Sequence, residues 1–179
     1  MPRGFPEMAG RRQLQKHFIK KTMSYYNFSG EHDQRKEDEY FMHIALGEAE
    51  QAFALGEIPI GAVVVCKGKI VGRGHNLTEQ LNDVTAHAEM QAFTAASHSL
   101  GGKYLKDCTL YVTIEPCVMC AGAAYWTQIG RIVYGAAEEK RGFSTRGNNL
   151  LHPRTLLEKG VLAGDCAALM TRFFVTRRG

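Results

Sequence analysis

The fold of this sequence is organised around two segments, Thr85-Ala86-His87-Ala88-Glu89 and Glu115-Pro116-Cys117-Val118-Met119-Cys120. Each segment is expected to lie where a helix begins after a loop or a strand. Cys117 and Cys120 are three positions apart, so in the first turn of a helix their sulfur atoms point to one side. The positive end of the helix dipole favours the thiolates that a zinc ion needs, and Pro116 is suited to lead such a turn.

The predicted metal ligands are two thiolates and one imidazole, supplied by Cys117, Cys120 and His87. Three protein ligands leave one tetrahedral position for water, which is typical of a catalytic zinc ion, because a structural zinc ion takes four protein ligands. Zinc lowers the pKa of bound water towards ~7. A carboxylate two residues after the histidine can carry protons without binding the metal, and Glu89 fits this role. The donor set also favours zinc over harder cations.

Neither fragment is specific when it is taken alone. A Cys-x-x-Cys pair is equally typical of a redox pair or of two buried cysteines, and a His-x-Glu fragment is almost uninformative. Together, His87 and Glu89, followed after 26 residues by Pro116, Cys117 and Cys120, match the His-x-Glu and Pro-Cys-x-x-Cys signature of zinc-dependent nucleobase deaminases.

Apolar periodicity and turn residues divide the rest of the chain into helices and strands. A first amphipathic helix is expected from Glu37 until Gly56 and Pro59 end the pattern. Further helices are expected at 86–99, 116–127 and 165–174, and strands at 61–66, 70–74, 108–113 and 131–134. The first strand is apolar on both faces and is expected in the interior of the sheet. The element order predicts the α/β class, with at least four strands and helices on both faces of the sheet.

Composition indicates a compact protein of one domain. The 179 residues are 45% hydrophobic, which is enough for one core. No apolar run approaches the ~18 to 20 residues that span a bilayer, so no membrane association is expected. The net charge of +4 is compatible with a polyanionic partner but does not demand one. Five cysteines, an odd number, do not suggest a disulfide framework and predict a cytoplasmic location.

The first 36 residues are basic and polar, with no sustained apolar face. We expect a poorly ordered basic N-terminal extension at 1–36 and a zinc-dependent deaminase domain at 37–179. The extension lacks the apolar centre of a secretory signal, although its charge resembles that of an organelle transit peptide. An alternative is that Met23 is the true start.

From about Glu37 to its C-terminus the sequence resembles the bacterial tRNA-specific adenosine deaminases, within the cytidine/deoxycytidylate deaminase superfamily. The resemblance covers roughly 140 residues. Besides the two segments above, it rests on Gly56-Glu57-Ile58-Pro59-Ile60-Gly61-Ala62, Asn76, and Cys166-Ala167-Ala168-Leu169 with Phe173-Phe174. It implies a three-layer α/β/α cytidine-deaminase-like fold, with a mixed central sheet and helices on both faces.

The resemblance also implies a zinc-dependent hydrolase that converts the wobble adenosine of a tRNA anticodon to inosine and releases ammonia. It implies a homodimer with one zinc ion per subunit, which binds the tRNA anticodon stem-loop. Glu89 would protonate N1 of the purine, accept a proton from the attacking water and deliver one to the departing ammonia. Asn76 would hydrogen-bond the edge of the flipped base, although a loop-capping role is also open. The turn Glu57-Ile58-Pro59-Ile60 would form a pocket wall, and the backbone near Ala88 would orient the nucleophile.

Seven basic residues are candidates for contacts with RNA phosphates, although an ordinary surface charge is the simpler interpretation of any one of them. They are Lys140, Arg141, Arg146, Arg154, Arg172, Arg177 and Arg178. Tyr125 and Trp126 lie on a predicted helix, so core or dimer packing is favoured over stacking on RNA bases.

Two departures from the family pattern lie in segments that touch RNA in the family. The chain has Gly135-Ala136-Ala137-Glu138 where the family often has Gly-Ala-x-Asp, and the stretch from His152 to Gly160 is shorter. Two other functions stay open: a free-base or nucleotide deaminase that acts on guanine or cytosine, and a non-catalytic RNA-binding module. The pocket and its flanks choose the ring that is attacked, whereas the intact Glu89 argues against a non-catalytic module.

Overall fold

The computed structural model describes residues 33–147 and 150–178. These residues form four α-helices, five strands and one short 3-10 helix. The helices are α1 (Gln34–Ala54), α2 (Ala88–Leu100), α3 (Val118–Thr127) and α4 (Ala163–Arg178), and the 3-10 helix covers Phe143–Arg146. The strands are β1 (Gly61–Cys66), β2 (Lys69–His75), β3 (Cys108–Ile114), β4 (Arg131–Ala136) and β5 (Leu156–Lys159). None of the helices within these ranges has both the length and the hydropathy that a membrane crossing requires.

The five strands form one mixed sheet in the order β2-β1-β3-β4-β5. β1 pairs antiparallel with both β2 and β3, and Val63 faces Tyr111 across the pair of β1 and β3. β4 lies parallel to β3 and to β5. Parallel neighbours need a crossover connection, and α3 lies in the connection from β3 to β4. The carboxyl end of β3 therefore leads into the helix that carries Cys120.

Helices cover both faces of the sheet, which confirms the expected three-layer α/β/α arrangement. On one face α2 and α3 pack against residues such as Val64 and Leu110, and on the other face α1 and α4 pack against Val63 and Val133. The alternation follows from the period of two along a strand. β1 is buried from Gly61 to Val65, as its apolar sequence predicts for an interior strand.

Two features differ from the sequence prediction. α1 begins at Gln34 rather than near Glu37, because the side chain of Asp33 accepts a hydrogen bond from the backbone N–H of Lys36 and caps the helix. The rest of the predicted extension, 1–32, lies outside the described residues. β5 is absent from the sequence prediction because its four side chains are all exposed and give no apolar alternation.

Two glycines allow β1 and β2 to lie close to the helices that flank the site. A Cβ atom at Gly61 would lie 2.1 Å from the carbonyl oxygen of Ala45 in α1. A Cβ atom at Gly74 would lie 2.3 Å from the carbonyl oxygen of Ala88 in α2. A side chain at either position would therefore displace a helix. The close contact at Gly74 fixes the first turn of α2, which carries Glu89.

Candidate active site

The three predicted metal ligands lie at the starts of two helices. His87 is the N-cap of α2 and Cys117 is the N-cap of α3, both with an extended backbone, while Cys120 lies in the first turn of α3. The Sγ atoms of Cys117 and Cys120 lie 3.6 Å and 3.5 Å from Nδ1 of His87. All three ligand atoms lie within 4.8 Å of one another. The fold thus brings together residues that are 30 and 33 positions apart in the sequence.

This arrangement fits a zinc ion. Sulfur and nitrogen atoms at two corners of a zinc tetrahedron stand about 3.5 Å apart, which matches the distances between these ligands. The pKa of the Cys117 thiol is lowered to about 4, mainly by a hydrogen bond with Cys120 and further by His87. The same hydrogen bond raises the pKa of Cys120, and metal binding to this pair would release its remaining proton. These three residues would hold the zinc ion.

Glu89 lies in the first turn of α2, and only 3% of its surface is exposed. Burial raises the pKa of this carboxyl group, and the charge of the Cys117 thiolate raises it further. The side chain therefore lies beside the ligands and away from bulk water. A carboxyl group in this place can exchange protons with a molecule that is bound at the metal site.

Asn76 directly follows β2 and begins a connection that leads to His87. Its side chain is buried, with 3% exposed. The Nδ2 atom lies 3.0 Å from Glu57 Oε2 and 3.0 Å from Thr78 Oγ1. A backbone hydrogen bond of 3.0 Å closes loop 77–86 just before His87. Asn76 and His87 are therefore at the two ends of one short, closed loop.

The turn that was expected to line the pocket is largely buried. Glu57 is fully buried and its carboxylate faces Asn76, which places it behind that side chain. Pro59 is buried and Ile60 half-buried, whereas Ile58 is 38% exposed. Within the turn, Ile58 thus has the most exposed apolar side chain, and its contact with a ligand stays a prediction. Ala88 is fully buried against β2, and its role in orienting a nucleophile stays a prediction.

Glu115 is a residue to which the sequence analysis gave no role. It is 5% exposed, and its carboxylate accepts hydrogen bonds from the backbone N–H groups of Glu138 at 3.1 Å and Ser144 at 3.0 Å. The backbone N–H of Phe143 also donates to the carbonyl of Pro116 at 2.9 Å. The loop after β4 is thereby tied to the segment that carries the cysteine ligands. The available signal was an acidic residue directly after an apolar strand, since a buried carboxylate needs donors.

The candidate RNA-contacting residues have different surroundings. The carboxylate of Glu138 turns back onto its own loop, where Oε1 accepts from the backbone N–H of Lys140 at 3.0 Å. Arg172 stacks over a ring of α1, Arg177 stacks over a ring of α4, and the side chain of Arg178 lies outside the described part of the chain. Arg172 and Arg177 are exposed, as are Lys140, Arg141, Arg146 and Arg154.

The family comparison covers the region that contains the site. Residues 35–136 match the family model of the cytidine and deoxycytidylate deaminase zinc-binding region. This range includes all three ligand residues and Glu89. The tRNA-specific adenosine deaminase of Streptococcus pyogenes serotype M18 is 45% identical over 144 residues, which cover 78% of this chain and 91% of that relative.

Solved structures of deaminases also resemble this chain. A structure from studies of A-to-I editing by tRNA:A34 deaminases at the wobble position of transfer RNA is 38% identical, with a TM-score of 0.68, and the match covers 73% of this chain and 98% of that chain. A guanine deaminase from Bacillus subtilis is 39% identical, with a TM-score of 0.54, over 61% of this chain and 69% of that chain. With its zinc-binding region matched and its curated relative covered almost completely, this chain belongs to the tRNA-specific adenosine deaminase family of the cytidine and deoxycytidylate deaminase superfamily.

Proposed function

We propose that this protein hydrolyses the wobble adenosine of a tRNA anticodon to inosine and releases ammonia. The observation that carries the proposal is the convergence of His87, Cys117 and Cys120, with the buried Glu89 beside them. Three protein ligands leave one position of a tetrahedral metal ion free for water. The family membership supports an adenosine in tRNA as the substrate.

The chemistry divides between the metal ion and one carboxylate. When bound by these residues, zinc lowers the pKa of a water molecule and so supplies a nucleophile near neutral pH. Glu89 accepts one proton from this water and passes it to N1 of the purine. It then accepts the second proton, from the hydroxyl that has added to C6, and passes it to the exocyclic amine, which leaves as ammonia. The bond from C6 to the exocyclic nitrogen breaks, and the oxygen of water remains on C6. Burial of Glu89 keeps these protons away from bulk water.

The target base enters beside loop 77–86, which leads to His87. Asn76 hydrogen-bonds the edge of the flipped base from the start of this loop. Ile58 packs its exposed side chain against the base, with Pro59 and Ile60 behind it as the body of the pocket wall. The backbone at Ala88 orients the attacking water.

The protein acts as a homodimer in this proposal. Helix α3 exposes three large apolar side chains, Val118, Tyr125 and Trp126, and Trp126 is 79% exposed. The sequence favoured packing of Trp126 either in the core or at a dimer interface. Because the side chain is exposed, we propose the dimer interface. Aromatic side chains are enriched at protein interfaces. A second copy of the chain, with its own zinc ion, is the partner for this face.

The other partner is the tRNA anticodon stem-loop. Lys140, Arg141, Arg146 and Arg154 are exposed and available for phosphate contacts, so binding should weaken steeply with salt. The free state of all five cysteines supports a reducing, cytoplasmic location. The deaminase domain is proposed to cover 37–179, with the first turn of α1 from Gln34 added to it.

A second candidate function is deamination of a free base. It is favoured by the resemblance to the guanine deaminase from Bacillus subtilis, since zinc and the carboxylate would serve either ring. The structural match to the tRNA:A34 deaminase is the better of the two and covers more of this chain. Adenosine in tRNA is therefore the first substrate to test.

The test uses purified, zinc-loaded protein and an unmodified anticodon stem-loop with a wobble adenosine. Free guanine, cytosine and cytidine are assayed in parallel, and inosine and ammonia are measured. We expect inosine in the RNA and no turnover of the free compounds. Turnover of a free base alone would overturn the assignment of tRNA as the substrate, but it would be compatible with the proposed zinc chemistry.

The role of Glu89 is tested in the same assay. Glu89→Ala should abolish turnover and retain both zinc and RNA binding, because the carboxylate transfers protons and binds neither the zinc ion nor the RNA. Glu50→Ala, which changes an exposed glutamate of α1, is the matched control and should retain full activity. Turnover by Glu89→Ala would exclude the proton-carrier role.

A further inference from the structure

Glu57 is fully buried, with 0% of its surface exposed, and a buried carboxylate must be compensated by hydrogen bonds. Its Oε2 atom accepts from Asn76 Nδ2 at 3.0 Å and from the Thr78 hydroxyl at 3.2 Å. Its Oε1 atom accepts from the backbone N–H of Gln80 at 2.8 Å. All three donors lie on the polypeptide that runs from β2 to His87, so one carboxylate organises the start of that loop.

The same contacts fix the orientation of the Asn76 amide. A carboxylate only accepts hydrogen bonds, so the atom of Asn76 that faces Glu57 is the nitrogen. This nitrogen carries two hydrogens, and the second is directed to Thr78 Oγ1 at 3.0 Å. The nitrogen therefore has no hydrogen left for a substrate. The polar atom that remains for a ligand is Oδ1, which is an acceptor.

We propose that Glu57 is a positioning residue that holds Asn76 as a hydrogen-bond acceptor, so that the site selects a donor on the target nucleotide. The inference rests on the proposed function, in which Asn76 contacts the flipped nucleotide. Adenosine offers donors at its exocyclic amine and its ribose hydroxyls, whereas N3 and N7 of the ring are acceptors. Asn76 thus engages either the exocyclic amine, which lies on the base edge, or the 2′-hydroxyl of the ribose, which would move the contact from the base to the sugar.

The polarity of this pair can be reversed without changing its size or its charge. In the double variant Glu57→Gln with Asn76→Asp, the new amide at position 57 donates to the new carboxylate and to Thr78. Its oxygen still accepts from the N–H of Gln80, and the Thr78 hydroxyl donates to the new carboxylate. The atom that position 76 presents to the substrate is still an oxygen. Each single variant instead opposes two donors or two acceptors inside the fold.

The experiment is a double-mutant cycle on kcat and KM, with the anticodon stem-loop or with whichever substrate the wild-type protein turns over. Each single variant should lose about tenfold to a hundredfold in kcat/KM, since a hydrogen bond to a charged group is replaced by opposed like groups. The double variant should recover to within about tenfold of the wild-type protein. A double variant as impaired as Asn76→Asp would mean that the substrate needs a hydrogen from Asn76, and would overturn the proposal.

Melting temperature and zinc content show whether a variant loses activity through the orientation of the Asn76 amide or through a general loss of folding. The single variants should melt lower than the wild-type protein, and the double variant should regain most of the loss. Glu79→Gln, which changes an exposed residue of the same loop, is the control and should change kcat/KM by less than about threefold. A double variant that melts as low as the single variants, or that does not fold, would show that the amide is not oriented in this way.

The source of the donor is identified with 2′-deoxyadenosine at the target position. If Asn76 accepts from the 2′-hydroxyl, the losses from the deoxy substrate and from Asn76→Ala should not add. If it accepts from the exocyclic amine, the two losses should multiply. Both results support the acceptor role, whereas full activity of Asn76→Ala on both substrates would overturn it. Failure of the proposed function is a separate result, because it shows as turnover of a free base by the wild-type protein.

Discussion

The backbone N–H of Ser144 donates to Oε1 of Glu115 at 3.0 Å, across 29 positions of the sequence. Glu115 directly precedes the Pro-Cys start of α3, whereas Ser144 lies in the 3-10 helix after β4. The contact joins the loop that carries Glu138, where the chain departs from the family pattern, to the segment that carries two of the proposed zinc ligands. The geometry of that loop is therefore coupled to the metal site through one buried carboxylate.

Replacing Glu115 with alanine should loosen this loop and leave the zinc ligands in place. The N–H groups of Glu138 and Ser144 would lose a charged acceptor, and a hydrogen bond to a charged group contributes about 1.5–3 kcal/mol to the free energy of unfolding. In the proposed function, KM for the stem-loop should rise more than kcat falls. Urea denaturation and steady-state kinetics measure the two effects.

The matched control is Glu139→Ala, which changes an exposed glutamate of the same loop. It should alter the unfolding free energy by less than about 0.5 kcal/mol. A Glu115→Ala protein with lowered stability and an unchanged KM would contradict a role of this loop in binding RNA.

Loss of the zinc ion should destabilise the starts of α2 and α3 together, since His87 occupies the N-cap position of one helix and Cys117 that of the other. Cys117→Ala should reduce bound zinc to near zero and lower the melting temperature. Zinc at a thousandfold excess over its Kd stabilises the folded state by about 4 kcal/mol. Metal analysis and thermal unfolding, with and without a chelator, test this expectation.

A second cysteine provides the control for metal loss. Cys66 is half-buried and lies at the opposite end of β1 from Gly61. It is not part of the cluster of His87, Cys117 and Cys120. Cys66→Ala should keep its zinc and its response to the chelator. Normal zinc content in Cys117→Ala would exclude it as a ligand.

A buried ion pair fastens α1 to the sheet. The guanidinium of Arg131 donates to the two oxygens of Asp38 at 2.6 Å and 2.7 Å, and the hydroxyl of Tyr111 donates to Asp38 at 3.0 Å. Asp38 is 3% exposed. Arg131→Met would leave a buried carboxylate without its cation, so we expect a loss of about 3–5 kcal/mol in unfolding free energy.

Urea denaturation measures this loss, and Tyr111→Phe should cost about 1 kcal/mol because it removes one hydrogen bond. The control is Arg35→Met, since Arg35 forms an exposed ion pair with Glu39. The Arg35 side chain is 87% exposed and the Glu39 side chain 42%. Such a surface pair contributes less than about 1 kcal/mol. Equal losses at Arg131 and Arg35 would contradict the importance of burial.

The sequence predicted which residues form the His87, Cys117 and Cys120 cluster, because the spacing within each half of it is local. Cys117 and Cys120 share one helical turn, and His87 and Glu89 share another, so helix geometry alone orients each pair. The order of helices and strands was also predictable, apart from β5, whose exposed side chains carry no apolar pattern.

The two buried carboxylates behind the site were not predictable in their roles. Glu57 and Asn76 are 19 positions apart, and Glu115 and Ser144 are 29 apart. Several of their partners are backbone N–H groups, such as those of Gln80 and Ser144, which almost any residue would supply. The sequence therefore carried no sign of which donors the fold would bring to each carboxylate.

Trp126 should contribute strongly to the proposed dimer. Its side chain is 79% exposed, and it contacts Tyr125 edge to face at 5.9 Å between ring centres. A buried tryptophan at the centre of an interface typically contributes about 2 kcal/mol or more to binding, so Trp126→Ser should weaken dimerisation by about thirtyfold or more. Analytical ultracentrifugation over a concentration series measures the dissociation constant. The matched control is Val175→Ser, which changes a 65% exposed apolar residue on α4 and should leave the constant unchanged. A Trp126→Ser protein that dimerises as tightly as the wild-type protein would show that the second copy binds another face.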